Sequence, residues 1–144
     1  MSDVLTLSQI RVPGTARSKD DAIREAGEML VEAGAVTPAY IDSMFERERS
    51  VSTYMGNYLA IPHGTNESKE SIRRSALSVI RYPEPIDWDG NEVLFALGIA
   101  GYQGGHMDIL SRIAIVFSDT DEVDKLVAAR SAQEIYDLLN AVNE

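Results

Sequence analysis

Two histidines carry most of the chemical potential of this 144-residue chain, because each sits beside glycine rather than on an apolar face. His63 lies between Pro62 and Gly64. The proline fixes the approach of the backbone, and the glycine lets chain and ligand come close. Such a setting exposes an imidazole while controlling its direction, which suits a reactive histidine. His106 follows Gly104-Gly105 and is expected to open a helix near Met107. The N–H groups and positive dipole end of a helix N-terminus favour anions. Arg47 is the third candidate. It shares a helix face with Tyr40 and Met44, seven and three positions before it, where its planar fork of donors suits a phosphate. Residue types alone leave His63 between a surface histidine and a reactive one. They leave Arg47 between a phosphate ligand and a salt bridge to a neighbouring acid, and Arg49 is expected to face solvent.

Other chemistries lack their residues. There is no Gly-x-Ser-x-Gly elbow and no Gly-x-x-x-x-Gly-Lys loop; Gly101-Tyr102-Gln103-Gly104-Gly105 is glycine-rich but carries no lysine. No His-x-x-x-His pairing supports a metal. Neither a metal nor a cofactor is expected.

The elements that must position these groups are readable from periodicity and punctuation. Leu5–Val12 reads as extended and closed by Pro13-Gly14. Ser18 is an expected N-cap, with Asp20 and Asp21 in a first turn where the dipole favours negative charge. Ile23, Ala26, Met29, Leu30 and Ala33 follow at helical spacing up to a stop at Gly34. Thr37-Pro38 is expected to start a second helix running to about Arg49. Leu59–Pro62 reads as a short strand whose end carries His63. Ser75–Tyr82 reads as a strand stopped by Pro83 and Pro85, and Val93–Ile99 as another. The remainder is helical: one helix with Ile109, Leu110, Ile113 and Phe117 on one face, a second started by Asp119 and Glu122, and a third by the Ser131–Glu134 capping box. The expected fold class is α/β: a single domain with a small mixed β-sheet flanked by helices and a helical C-terminal third.

Bulk composition narrows the partners. Hydrophobic residues make up 44% and charged residues 25%, which excludes a largely disordered chain. The formal net charge is −10. Without a basic stripe to neutralise phosphates, nucleic acid is not an expected partner. Cysteine is absent, so no disulfide, thiolate nucleophile or Cys-based metal site is possible. Met1–Gln9 lacks the features of a signal peptide, and no window approaches the roughly 20 apolar residues of a membrane helix. A soluble, cytoplasmic protein with no direct membrane insertion is expected.

Three separated motifs carry a family resemblance. Tyr54–Thr65, with its core Ala60-Ile61-Pro62-His63-Gly64-Thr65, resembles the active-site segment of the mannitol/fructose class (type 2) of enzyme IIA of the phosphoenolpyruvate-dependent sugar phosphotransferase system. Glu46-Arg47-Glu48 resembles that family's arginine motif, sixteen positions before the histidine. Gly98-Ile99-Ala100-Gly101, with His106 beyond, resembles the stretch carrying its second histidine, and Ile109–Ala114 with the closing helices follows the same pattern. The resemblance runs from about Leu5 to Leu139, so residues 1–144 are expected to form one domain of this type. Asn66–Lys69, Pro83–Trp88 and Gly98–His106 look more like the mannitol branch than the fructose branch. Ile61 stands where valine is frequent in relatives, and Gly104-Gly105 where an acidic residue is common before the second histidine.

The resemblance implies the roles. His63 would accept a phosphoryl group on Nε2 from the histidine-phosphorylated carrier HPr, with Arg47 and His106 stabilising its charge. The group would pass to a cysteine of a mannitol-specific IIB unit, and transport through the IIC permease would yield mannitol 1-phosphate. With neither cysteine nor membrane span in this chain, IIB and IIC are expected on separate polypeptides. The alternatives are a regulatory IIA-like phosphoprotein, or a IIA for another hexitol or for fructose. The chemistry needs a neutral imidazole nitrogen, in-line approach and positioned positive charge, with neither metal nor nucleotide.

Overall fold

The computed structural model describes residues 4–65, 70–102 and 106–143, without the side chains of His106 and Ala141. Ser18 caps the first helix, α1 (Lys19–Glu32), its side chain accepting from the Asp21 N–H. Gly34, at φ +75°, lets the chain leave the helix through the left-handed region. The second helix, α2 (Ala39–Ser50), begins one residue later than expected, with Pro38 as its cap residue. Its first turn still closes onto the Thr37 and Pro38 carbonyls.

Five strands make one mixed sheet. They are β1 (Ile10–Arg11), β2 (Tyr54–Gly56), β3 (Leu59–Ala60), β4 (Ala76–Trp88) and β5 (Asn91–Ala100), in the order β1-β4-β5-β3-β2. β1 runs parallel to β4 and β3 parallel to β5, whereas β4/β5 and β2/β3 are antiparallel. Three helices finish the chain: α3 (His106–Phe117), α4 (Thr120–Ala128) and α5 (Ala132–Leu139). Asp119 caps α4, and the Ser131 side chain accepts from the Glu134 N–H at the start of α5.

Two sequence expectations are corrected, and one strand carries no sequence signal. Leu5–Val12 is not extended throughout: Leu7–Gln9 forms a 3-10 turn and only Ile10–Arg11 joins the sheet. Gln9, buried there, donates to the carbonyls of Val4 and Leu77. Pro83 and Pro85 do not stop β4, which continues to Trp88. The ladder to β5 shifts register between Arg81 and Ile86, so the prolines sit where strand hydrogen bonds are interrupted anyway. β2 was missed because its three residues show no alternation. It is held by a turn with Gly56, Asn57 and Tyr58 at positive φ and by Asn57 Nδ2, which donates to the Phe117 carbonyl at 2.6 Å.

Helices cover both faces of the sheet. On one face Ala22, Ile23, Ala26 and Leu30 of α1 and Tyr40 and Met44 of α2 pack with Ile80, Tyr82, Trp88 and Ala96. On the other, Ile109, Ile113 and Phe117 of α3, Leu126 and Ile135 pack with Leu77, Val79, Phe95, Leu97 and Ile99. The period-2 alternation of β4 sends 76, 78, 80 and 82 to the first face and 77 and 79 to the second. The opening loops are tied to α1 by Glu25. Its buried carboxylate accepts from Arg11 Nη1, from the Thr15 N–H and hydroxyl, from the Ala16 N–H and from the Tyr82 hydroxyl. Burial pushes its pKa up, but those hydrogen bonds outweigh burial and lower it to about 2.

Candidate functional site

The histidine segment is an extension of the parallel β3/β5 ladder. Leu59 pairs with Phe95 and Ala60 with Ala96, and after the strand ends His63 still pairs with Ile99 at the same offset of 36 (95 − 59 = 99 − 63). The Ile99 N–H donates to the Pro62 carbonyl at 3.0 Å. Proline costs the segment nothing here, because no bond from residue 62 is needed. His63 is therefore delivered, half-buried, at the carboxyl end of a short parallel strand.

The ring is oriented from behind. His63 Nδ1 lies 2.7 Å from the Ile61 carbonyl oxygen. A carbonyl can only accept, so Nδ1 carries the proton in the neutral ring and Nε2 carries the lone pair. This is the protonation pattern of an Nε2 nucleophile.

Two further contacts fix the segment. The Tyr40 hydroxyl, on α2, accepts from the Gly64 N–H at 2.8 Å and donates to the Ile99 carbonyl at 2.7 Å. Tyr40 is 2% exposed, and burial pushes its pKa up to about 12 against the opposing Gly64 hydrogen bond, so the hydroxyl stays protonated. On the other flank the Ile61 N–H donates to the Thr53 carbonyl at 3.0 Å. Thr53 is held by buried Glu48, whose carboxylate accepts from its N–H and hydroxyl and from Trp88 Nε1.

Arg47 belongs to this flank. It is half-buried on the α2 face that carries Tyr40 and Met44, and its Nη1 donates to the Val51 carbonyl at 2.7 Å. Val51 leads directly into Thr53, so Arg47 and His63 sit on adjoining segments joined by the Thr53–Ile61 hydrogen bond. Among the described residues Arg47 makes no ion pair, so the salt-bridge alternative gains no support; Arg49 is exposed, as expected. His106 is the first residue of α3, one position before the helix start read from the sequence. Its side chain, and Gln103–Gly105 before it, lie outside the described residues, as do Asn66–Lys69.

Sequence reasoning missed the supporting groups Tyr40, Glu48, Thr53 and Trp88. Tyr40 and Glu48 had one local signal: both stand on the helix that presents Arg47. Nothing local pairs Tyr40 with Gly64, 24 positions away. Among the described residues no group of three or more His, Asp or Glu side chains is placed to hold a metal ion.

Known proteins resemble this chain along nearly its whole length. Residues 3–142 match the family described as phosphoenolpyruvate-dependent sugar phosphotransferase system, EIIA 2. The chain is 52% identical over 141 residues to the mannitol-specific phosphotransferase enzyme IIA component of Halalkalibacterium halodurans, covering 98% of this chain and 97% of the relative. It is 49% identical over 135 residues to the protein of the same name from Staphylococcus aureus, covering 94% of each. Its fold matches a chain in the NMR structure of the complex of enzyme IIAMTL and phosphorylated enzyme IIBMTL from Escherichia coli. That match has a TM-score of 0.89 at 29% identity, covering 95% of this chain and 97% of that one.

Proposed function

Since the chain belongs to the EIIA type 2 family of the sugar phosphotransferase system, we propose that it is the phosphocarrier of a mannitol uptake system, with residues 1–144 acting as one unit. His63 Nε2 attacks the phosphorus held on a histidine of HPr. The donor P–N bond breaks as the new P–Nε2 bond forms. The group then leaves Nε2 for a cysteine thiolate of a mannitol-specific IIB unit, and the IIC permease completes uptake. This chain contains no cysteine, so the acceptor thiol belongs to the IIB unit.

The observation that carries this reading is the His63 Nδ1–H···O=C bond to Ile61. It leaves Nε2 as the basic nitrogen of a ring delivered at a sheet end. The protein need contribute little beyond position and charge. Arg47 supplies a fixed positive charge on the adjoining segment, and His106 supplies a second donor from the start of α3, whose N–H groups and dipole end favour the same anion. Both donor and acceptor are proteins, so the interface is transient and modest. No helix among the described residues is long and apolar enough to cross a membrane; in this reading the protein works in the cytoplasm.

Incubation with phosphorylated HPr followed by mass spectrometry tests the proposal. Phosphate is expected on His63 and on no residue of a His63→Ala variant; labelling that survives this change overturns the assignment. Adding a mannitol IIB unit should then discharge the phosphoprotein onto the IIB cysteine. Labelling without discharge would favour a regulatory IIA-like phosphoprotein instead.

A further inference from the structure

Beside the groups that face the phosphoryl transfer stands one buried hydroxyl with an unusual place in the sheet. The β3/β5 ladder continues in register through His63 and Ile99. In a parallel ladder the next rung would run from the Gly64 N–H to the Ile99 carbonyl. The Tyr40 hydroxyl is interposed there, accepting from Gly64 at 2.8 Å and donating to Ile99 at 2.7 Å. One O–H thus ties together the two groups of that rung, directly after His63.

We propose that Tyr40 is a positioning residue for His63: its hydroxyl, bonded to both Gly64 and Ile99, fixes the backbone just after the histidine so that the ring keeps Nδ1 on the Ile61 carbonyl. The inference rests on the reading of His63 as the phosphoryl acceptor only for its effect on rate. Its structural content is independent of that reading.

The Nδ1–Ile61 bond spans two residues of one chain, so it depends on how the backbone turns at His63. Two anchors define that turn: the Ile99 N–H on the Pro62 carbonyl before the histidine, and the Tyr40 hydroxyl on the Gly64 N–H after it. Without the hydroxyl, Gly64 keeps only its pairing with the Ile99 carbonyl, and the backbone after His63 loses the brace that holds the ring against Ile61. The phenyl ring of Tyr40 also serves the core among the residues of α1 and the sheet, so Tyr40→Phe isolates the hydroxyl from the packing.

The test compares wild type, Tyr40→Phe and Ser78→Ala. Ser78 donates a buried hydroxyl to the Ala26 carbonyl and serves as a control for simple loss of a buried hydrogen bond. Nitrogen-15 NMR of the histidine ring, at a pH where it is neutral, should show the Nδ1–H tautomer of His63 dominating in wild type and Ser78→Ala. In Tyr40→Phe a substantial fraction should shift to Nε2–H. Single-turnover phosphorylation by phosphorylated HPr should slow on the order of 10- to 100-fold at saturating donor, as a misplaced nucleophile predicts, with the half-saturating donor concentration little changed. An unchanged tautomer and rate in Tyr40→Phe would overturn the proposal, as would equal changes in Ser78→Ala. Should Tyr40→Phe fail to fold, hydrogen exchange of wild type decides: the Gly64 amide should exchange roughly a hundredfold slower than an unstructured peptide, and exchange at the free-peptide rate would overturn the inference. If wild type takes no phosphate at all, the carrier reading falls while the tautomer comparison still judges Tyr40.

Discussion

At His63 one hydrogen bond does what a more elaborate active site would do with several. A neutral imidazole has two nitrogens and one proton, and the partner of one nitrogen decides the role of the other. The Ile61 carbonyl accepts a hydrogen bond from Nδ1–H and so holds the proton on that nitrogen; Nε2 then needs no general base to become nucleophilic. What remains is the negative charge of the phosphoryl group, which assigns separate weights to Arg47 and His106. Arg47→Ala should slow phosphorylation by phosphorylated HPr on the order of 10²–10³-fold, the usual scale for losing a charge-stabilising donor, without a change in circular dichroism. Arg47 points at an exposed backbone carbonyl rather than into the core, so stability should hold within about 0.5 kcal/mol; wild-type rates would remove it from the site. In the proposed mechanism His63 alone forms the covalent bond, so His106→Ala should be impaired but still able to transfer. Complete loss of labelling, as in His63→Ala, would contradict that division of roles in a rapid-quench assay.

At the scale of elements, the stretch that resembles the second-histidine motif has a packing role as well. Gly98 precedes Ile99 on β5, and α1 crosses the sheet there: a Cβ added at Gly98 would stand 2.5 Å from Ser78 Oγ and 3.1 Å from both Cβ and O of Ala26. The Ser78 hydroxyl is already committed to the Ala26 carbonyl, so Ser78 can yield only by giving up that bond and Ala26 only by moving backbone. Gly98→Ala should therefore cost about 1–3 kcal/mol, read as a lower urea midpoint at constant slope. It should also slow phosphoryl transfer, because the displaced strand carries the carbonyl that anchors Tyr40. A variant as stable as wild type would show that α1 and β5 have slack the distances deny. The same element explains the run of small residues Ala96, Gly98 and Ala100: they face α1, whereas Phe95, Leu97 and Ile99 face α3–α5.

For the whole molecule, Glu25 is a carboxylate whose ionisation is strongly coupled to folding. It joins α1 to β1, to the loop after it and to β4 through Tyr82. Its folded pKa near 2 lies below the ordinary 4.5. The stabilisation is therefore fully present above the unfolded value and lost as pH falls through the folded one. The native state should lose on the order of 3 kcal/mol from this group between about pH 5 and pH 2. In Glu25→Gln that component should be missing: lower stability at pH 7, and a flatter decline on acidification, measured by urea unfolding at a series of pH values. Parallel curves for the two proteins would show that Glu25 ionises alike in the folded and unfolded states. The −10 net charge acts separately, through self-repulsion that weakens as the other carboxylates protonate.

The sequence by itself determined the features written in short-range terms. Ser18, Asp119 and Ser131 announced helix starts because a cap bonds within three residues. The helical periodicity after Ile23 and Ile109 named the buried stripes. Pro62-His63-Gly64 marked a directed histidine, and three separated motifs marked the family. Tertiary structure decided what depends on pairing across distance. Pro83 and Pro85 looked like stops because proline breaks a ladder, yet β4 runs on, since the ladder to β5 is already out of register there. β2 is too short to show a period and exists because β3 pairs with it. The parallel register that carries His63 to Ile99, the Thr53 anchor beside Arg47 and the Tyr40 hydroxyl under Gly64 all join residues far apart in the chain. Residue types marked His63 as a candidate; only the fold could choose which of its ring nitrogens holds the proton, because that choice is made by a carbonyl whose direction the sheet sets.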